Sequence, residues 1–271
     1  MPALGLVMAS GPAAGASTVP AAPAASAAQY ATALATARAA IQHLSIGGHA
    51  TDHAVASHRV GPNLAQVQST NWSGYADTGS GFSTATGSWT EPSASCTGST
   101  SLAAFWVGID GFTSNTVEQD GTLIECSGGR AFNFSWWEMF PANAVQVVGQ
   151  SVAAGDHISA SVSRSSTSYT LRVTDSTHTA NSFSTTQRCS SSCANTSAEW
   201  IAEAPSGSGG VEPLSDFHTW TESGATVNGG VISSFADDEI TMVNSSGQVK
   251  AQPGPLNSSG NGFSVTWVRS T

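Results

Sequence analysis

The ten residues FNFSWWEMFP, Phe132 to Pro141, decide the fold. Five of them are aromatic, the segment contains no glycine, and a proline ends it, so it reads as a half-buried strand and not as a helix. Period-2 alternation then sets Trp136, Glu138 and Phe140 on one face. Working outward, SLAAFWVGID (101–110) places Trp106, Gly108 and Asp110 opposite Phe105, Val107 and Ile109. SAEWIAE (197–203) groups Glu199, Ile201 and Glu203. Similar short segments recur from Asn71 onward: NWSGYA, FSTATGSWTEP, HISASVSR, SYTLRVTD, DFHTWTESG and FSVTWVR. Gly, Asn, Asp and Pro separate them. Strands this short and regular predict an all-β sandwich or jelly roll of two curved antiparallel sheets. No βαβ alternation is visible, which disfavours a parallel sheet.

Composition agrees. The chain has 271 residues, 39% hydrophobic with 8 Trp and 10 Phe, enough to bury a core, and only 10% are charged. The formal net charge is −10 and Lys250 is the single lysine, so nucleic acid and anionic membranes are poor partners. No apolar run is long enough to span a bilayer. Charge is uneven: residues 1–66 carry Arg38, Arg59 and Asp52, net +1, against −11 for the remainder. Few bases also mean little self-repulsion when carboxylates protonate, which suits an acid-tolerant extracellular protein.

Residues 1–28 are rich in Ala, Pro, Gly and Ser, with small-residue ends that resemble export cleavage sites, and read as a signal-peptide remnant or low-complexity export segment. Residues 29–66 read as a propeptide or linker with a short helix over 30–43, and 67–271 as the β domain. His43, His49, His53 and His58 cluster in the linker. Glycines beside the His49/His53 pair and the absence of H-E-x-x-H favour a solvated linker over a metal site. Cys96, Cys126, Cys189 and Cys193 allow three pairings, of which the sequence-local one joins Cys96 to Cys126 and Cys189 to Cys193. Without C-x-x-C spacing, disulfides in an oxidising compartment are favoured over zinc.

An acid on a strand is ordinarily solvent-facing, but the tryptophans beside these acids point to a groove for an extended polymer, peptide or sugar. G-x-S-x-G and S-x-x-K are absent, so a serine hydrolase is disfavoured, and no metal or cofactor is expected. The motifs N-W-S-G-Y (71–75), W-V-G-I-D-G (106–111), E-Q-D-G (118–121), W-W-E-M-F-P (136–141) and S-A-E-W-I-A-E (197–203), in that order, resemble the glutamic peptidases, or eqolisins. The resemblance spans roughly 70–270 and implies a secreted, pepstatin-insensitive acid endopeptidase made with a propeptide. Its Gln/Glu dyad falls on Gln119 and Glu203. Trp72, Trp106, Asp110, Glu138 and Glu199 are the expected cleft residues. The interval from Trp106 to Gln119 is a residue shorter than in the fungal pattern. Implied partners are protein or peptide substrates and the chain's own N-terminal segment, on a monomer. Two other readings fit an aromatic groove with acids: a jelly-roll glycosidase using Glu138 and Glu203, and a lectin-like binding module.

Overall fold

The computed structural model describes residues 26–32, 35, 54–59, 64–189 and 192–271, with backbone alone at 54–59 and 149–150. The first sheet contains β1 (Ala54–Arg59), β2 (Leu64–Ser69), β3 (Trp72–Thr78), β5 (Ser101–Ile109), β6 (Val117–Ser127), β7 (Arg130–Phe140) and β8 (Asn143–Val152). It is completed by β12 (Ser197–Glu203), β17 (Ala236–Val243), β18 (Val249–Pro253) and β19 (Phe263–Trp267). The second sheet contains β4 (Thr84–Thr90), β9 (His157–Ser165), β10 (Ser168–Asp175), β11 (Phe183–Arg188) and β16 (Gly230–Val231). A small hairpin, β13 (Ser206–Gly207) with β14 (Gly210–Val211), follows β12.

Across the first sheet the order is β8-β7-β6-β5-β12-β3-β17, every pair antiparallel. β17 then takes β2 in parallel, and β2 takes β1. The second sheet runs β11-β10-β9-β4. One strand, β15 (Thr219–Val227), belongs to both: residues 219–222 pair with β19 and 223–227 with β4. The corner lies at a register shift between Ser223 and Thr226, where Gly224 takes φ +65°, a conformation that a side chain would strain.

The alternation read from sequence gives each strand of the first sheet two unlike faces. Phe105, Val107, Trp200 and Ala202 turn inward against Trp89, Val162, Leu171 and Trp220 of the sandwich core. Phe105 stacks on Trp220 at 5.5 Å and meets Phe217 edge-on at 5.2 Å. Each buried aromatic ring removes roughly 150–250 Å² from water, on the order of 4–6 kcal/mol of transfer free energy. The opposite face carries a second cluster that includes Trp72, Trp106, Phe134, Trp136 and Ile201, and it holds the site.

The N-terminal segment reaches that second face. Ser26 and Gln29 form a reciprocal capping box, Gln29 N donating to Ser26 Oγ at 3.2 Å and Ser26 N to Gln29 Oε1 at 2.9 Å. The helix they start spans 27–32 in the described residues, so it begins before the expected Tyr30, and the expected stretch 36–43 lies outside them. Tyr30 packs against Phe132 and Phe134, centroids 6.4 and 6.0 Å away, and donates to Asn133 O at 3.2 Å. The sheet itself begins before residue 67, because β1 and β2 extend it through residues assigned to the linker. His43, His49, His53 and the His58 side chain lie outside the described residues. No helix among the described residues is long and apolar enough to cross a membrane.

Candidate active site

Antiparallel register lays side chains out in rows across the site face. One row is Glu138, Gln119, Gly108, Glu199 and Ala76 on β7, β6, β5, β12 and β3. The next, two residues along each strand, is Trp136, Gly121, Trp106, Ile201 and Gly74. The third is Phe134, Leu123, Ala104, Glu203 and Trp72. Gln119 and Glu203 therefore share a face, one row to either side of Trp106 and Gly121. Gly121 is required there: a Cβ at that position would lie 1.9 Å from Phe105 O.

Each of the two side chains is held by partners of its own. Gln119 Nε2 donates to Glu138 Oε2 at 2.8 Å, and both residues are buried. Burial holds the Glu138 carboxyl well above the ordinary carboxylate range. The Gln119 hydrogen bond pulls it down, and the Glu203 charge pushes it up. Glu203 is fully buried and accepts hydrogen bonds on both oxygens: Trp106 Nε1 reaches Oε2 at 2.9 Å, and Asn71 Nδ2 reaches Oε1 at 3.3 Å. Asn71 is fixed in turn by Ser69, whose hydroxyl donates to Asn71 Oδ1 at 3.0 Å. Trp72 meets Trp106 edge-on at 4.9 Å, locking the indole that orients Glu203. The Nε1 groups of Trp72 and Trp136 are buried on this face without an acceptor among the described residues.

Glu199 lies in the Gln119 row, fully buried, and burial raises its pKa, with Ser197 lowering it and the Asp110 charge raising it. Asp110 stands apart. The alternation that grouped it with Trp106 and Gly108 ends at Ile109, because Asp110 takes φ +68°. Its carboxylate accepts the backbone N–H groups of Asn195 and Thr196 at 2.7 and 2.9 Å, so it secures the loop entering β12. Sequence reasoning gives Asn71 no role beyond its motif. Its link to Glu203 crosses 132 residues and has no local signal.

Both disulfides take the sequence-local pairing, Cys96–Cys126 and Cys189–Cys193. Among the described residues, Asp156, Asp175 and His178 bring possible metal-ligating atoms within 4.8 Å of one another. Those atoms already bond to each other and to backbone: His178 Nδ1 lies 2.8 Å from Asp156 Oδ1, and Asp175 Oδ1 accepts the N–H groups of Thr177 and His178. The group sits on the second sheet, away from the site face.

Comparison with known proteins agrees with the geometry. Residues 70–267 match the Peptidase A4 family. Aspergillopepsin-2 of Aspergillus niger is 27% identical over 224 residues, 74% of this chain and 78% of that one. Scytalidopepsin B of Scytalidium lignicola is 35% identical over 150 residues, covering 54% and 55%. Scytalido-glutamic peptidase, solved with a peptide-based transition-state analogue, superposes with a TM-score of 0.63 at 25% identity, over 73% of this chain and 98% of that one. The glycosidase and lectin readings find no support in these relatives. The chain belongs to the Peptidase A4 family, the glutamic peptidases or eqolisins, and is a glutamic-type endopeptidase.

Proposed function

We propose that the protein is a secreted acid endopeptidase in which Gln119 and Glu203 activate water for direct attack on the peptide bond. The observation that carries this is their placement: a carboxylate and a carboxamide on one face, flanking the Trp106/Gly121 row, each fixed by separate partners. Glu203 accepts the proton of the attacking water, and the C–O bond forms as the carbonyl π pair moves onto oxygen. A Gln119 N–H stabilises that oxyanion, and Glu203 returns the proton to the departing amine as the C–N bond breaks. Glu138 takes one amide N–H and so sets the rotation of the carboxamide. The unpartnered indole N–H groups of Trp72 and Trp136 are donors suited to substrate carbonyls.

Working in acid fits both the dyad and the fold. A carboxamide does not titrate, so it donates at pH values where a histidine base would be protonated. Burial also raises the carboxyls of Asp120, Glu199 and Glu222, pushes Glu118 up to about 9 beside Asp110, and pushes Glu91 up to about 7. Groups whose folded pKa is raised favour the folded state below their unfolded pKa and lose that contribution as pH rises through the folded value.

Residues ahead of the β domain act in this reading as a pro-segment. Tyr30 lies on the site face, and Gln119, Glu138, Glu199 and Glu203 are all buried in the full chain. The test is digestion of an unfolded protein from about pH 2 to 7 with pepstatin present, by wild type and Glu203→Ala. Cleavage confined to acid by the wild type alone is expected. Cleavage by the variant, or inhibition by pepstatin, would overturn the reading.

A further inference from the structure

One row further along the site face, beyond Glu203, the register sets Leu102, Glu125 and Phe132 side by side on β5, β6 and β7. Glu125 is 5% exposed, and its Oε2 is buried with no hydrogen-bond partner among the described residues. A carboxyl in that position is costly unless something supplies a donor. Glu125 also lines a cavity of about 440 Å³ with Ser127, Arg130 and Phe132, roofed in the full chain by Gln29 and Thr32 of the N-terminal helix. Gln29 lines this cavity as part of the helix cap, its Oε1 accepting Ser26 N. With the N-terminal helix removed, as the pro-segment reading has it, this cavity would be the open end of the face that carries Gln119 and Glu203.

We infer that this cavity is a substrate side-chain subsite in which Glu125 selects a long side chain bearing hydrogen-bond donors, lysine above all. The inference rests on the peptidase reading of Gln119 and Glu203 given above. A lysine stem matches the Phe132 ring, and its ammonium matches the unpartnered oxygen of Glu125. Arg130, half-buried in the same cavity, is the one charged group among the described lining residues that opposes a cation, so it weakens the preference. Glu125 lies two rows from the Trp106/Gly121 row that Gln119 and Glu203 flank, four residues of strand at ~3.4 Å each or ~14 Å. An extended substrate spans that distance in about four residues, so the selected side chain lies about four residues from the cleaved bond.

The experiment uses acid-processed enzyme and a set of peptides about twelve residues long with one cleavable bond, lysine or methionine being placed at each position in turn. The readout is the ratio of kcat/KM for the lysine peptide to that for the methionine peptide within one enzyme, so a general loss of active protein cancels. A ratio above one is expected at a single position about three to five residues from the cleaved bond. Glu125→Gln should lower it about tenfold at the highest pH where the enzyme cleaves, and Arg130→Ala should raise it. Burial raises the Glu125 pKa, so the wild-type ratio should also grow with rising pH as the carboxyl ionises. Cleavage with no lysine preference at any position, or a preference that Glu125→Gln leaves intact, would overturn the subsite while leaving the peptidase reading standing. Cleavage of no peptide at any pH would overturn that reading, and the subsite with it.

Discussion

Asp77 and Asp237 stand directly opposite each other where β3 pairs with β17, and both are buried. No donor among the described residues reaches either Asp77 oxygen, so nothing offsets the loss of water around an ionised Asp77. Burial, and then the Asp237 charge, holds Asp77 far above the ordinary carboxylate range. An unfolded Asp ionises near 3.8, so between that value and neutrality the folded chain keeps a proton that the unfolded chain releases. The pair's contribution is therefore complete below about pH 4 and is lost as pH rises. At ~1.4 kcal/mol per pH unit over about three units, the loss approaches 4 kcal/mol at pH 7. Asp77→Asn replaces the carboxyl that must keep its proton with a carboxamide that never ionises. Urea unfolding followed by Trp fluorescence, with both proteins in a Glu203→Ala background to prevent autolysis, should show little difference at pH 4. At pH 7 the variant should be more stable by about 2–4 kcal/mol. An equal difference at the two pH values would refute the assignment of a retained proton to Asp77.

Asn71→Ala removes a donor on Glu203 and should lower kcat about tenfold with little change in KM, while moving the acid limb of the kcat/KM profile upward; a purely structural role would leave that limb in place. The Cys96–Cys126 bridge spans 30 residues and Cys189–Cys193 spans 4, so by loop entropy deleting the first should cost about 3–4 kcal/mol and the second about 2 kcal/mol, read from urea midpoints. Tyr30→Ala removes the ring contacts of the N-terminal segment with Phe132 and Phe134 and should speed the appearance of activity on acidification, measured as the lag before substrate cleavage.

Much of the site is legible in the sequence because a strand has a period of two. The pattern in WWEMF and AEWIAE assigns Glu138, Glu199 and Glu203 to faces that the register then brings together. Extending the same count along β6 from Gln119 reaches Glu125, yet nothing near Glu125 in sequence suggests chemistry. Asp110 escapes the pattern because a positive φ, invisible in composition, turns the chain one residue before the alternation would. The linker is only partly legible: residues 29–66 read as a propeptide or linker, yet β1 and the start of β2 lie within them. Asp77 with Asp237, and Asn71 with Glu203, are distant in sequence, and only tertiary pairing reveals the contacts.

The central claim is that Gln119 and Glu203 act as one unit, and a double-mutant cycle on kcat/KM for a single peptide in acid tests it most directly. Gln119→Ala should cost about 10²–10³ and Glu203→Gln at least as much, with the double variant no slower than the worse single one. Losses that multiply, or a Gln119→Ala enzyme that keeps most of its activity, would contradict the account.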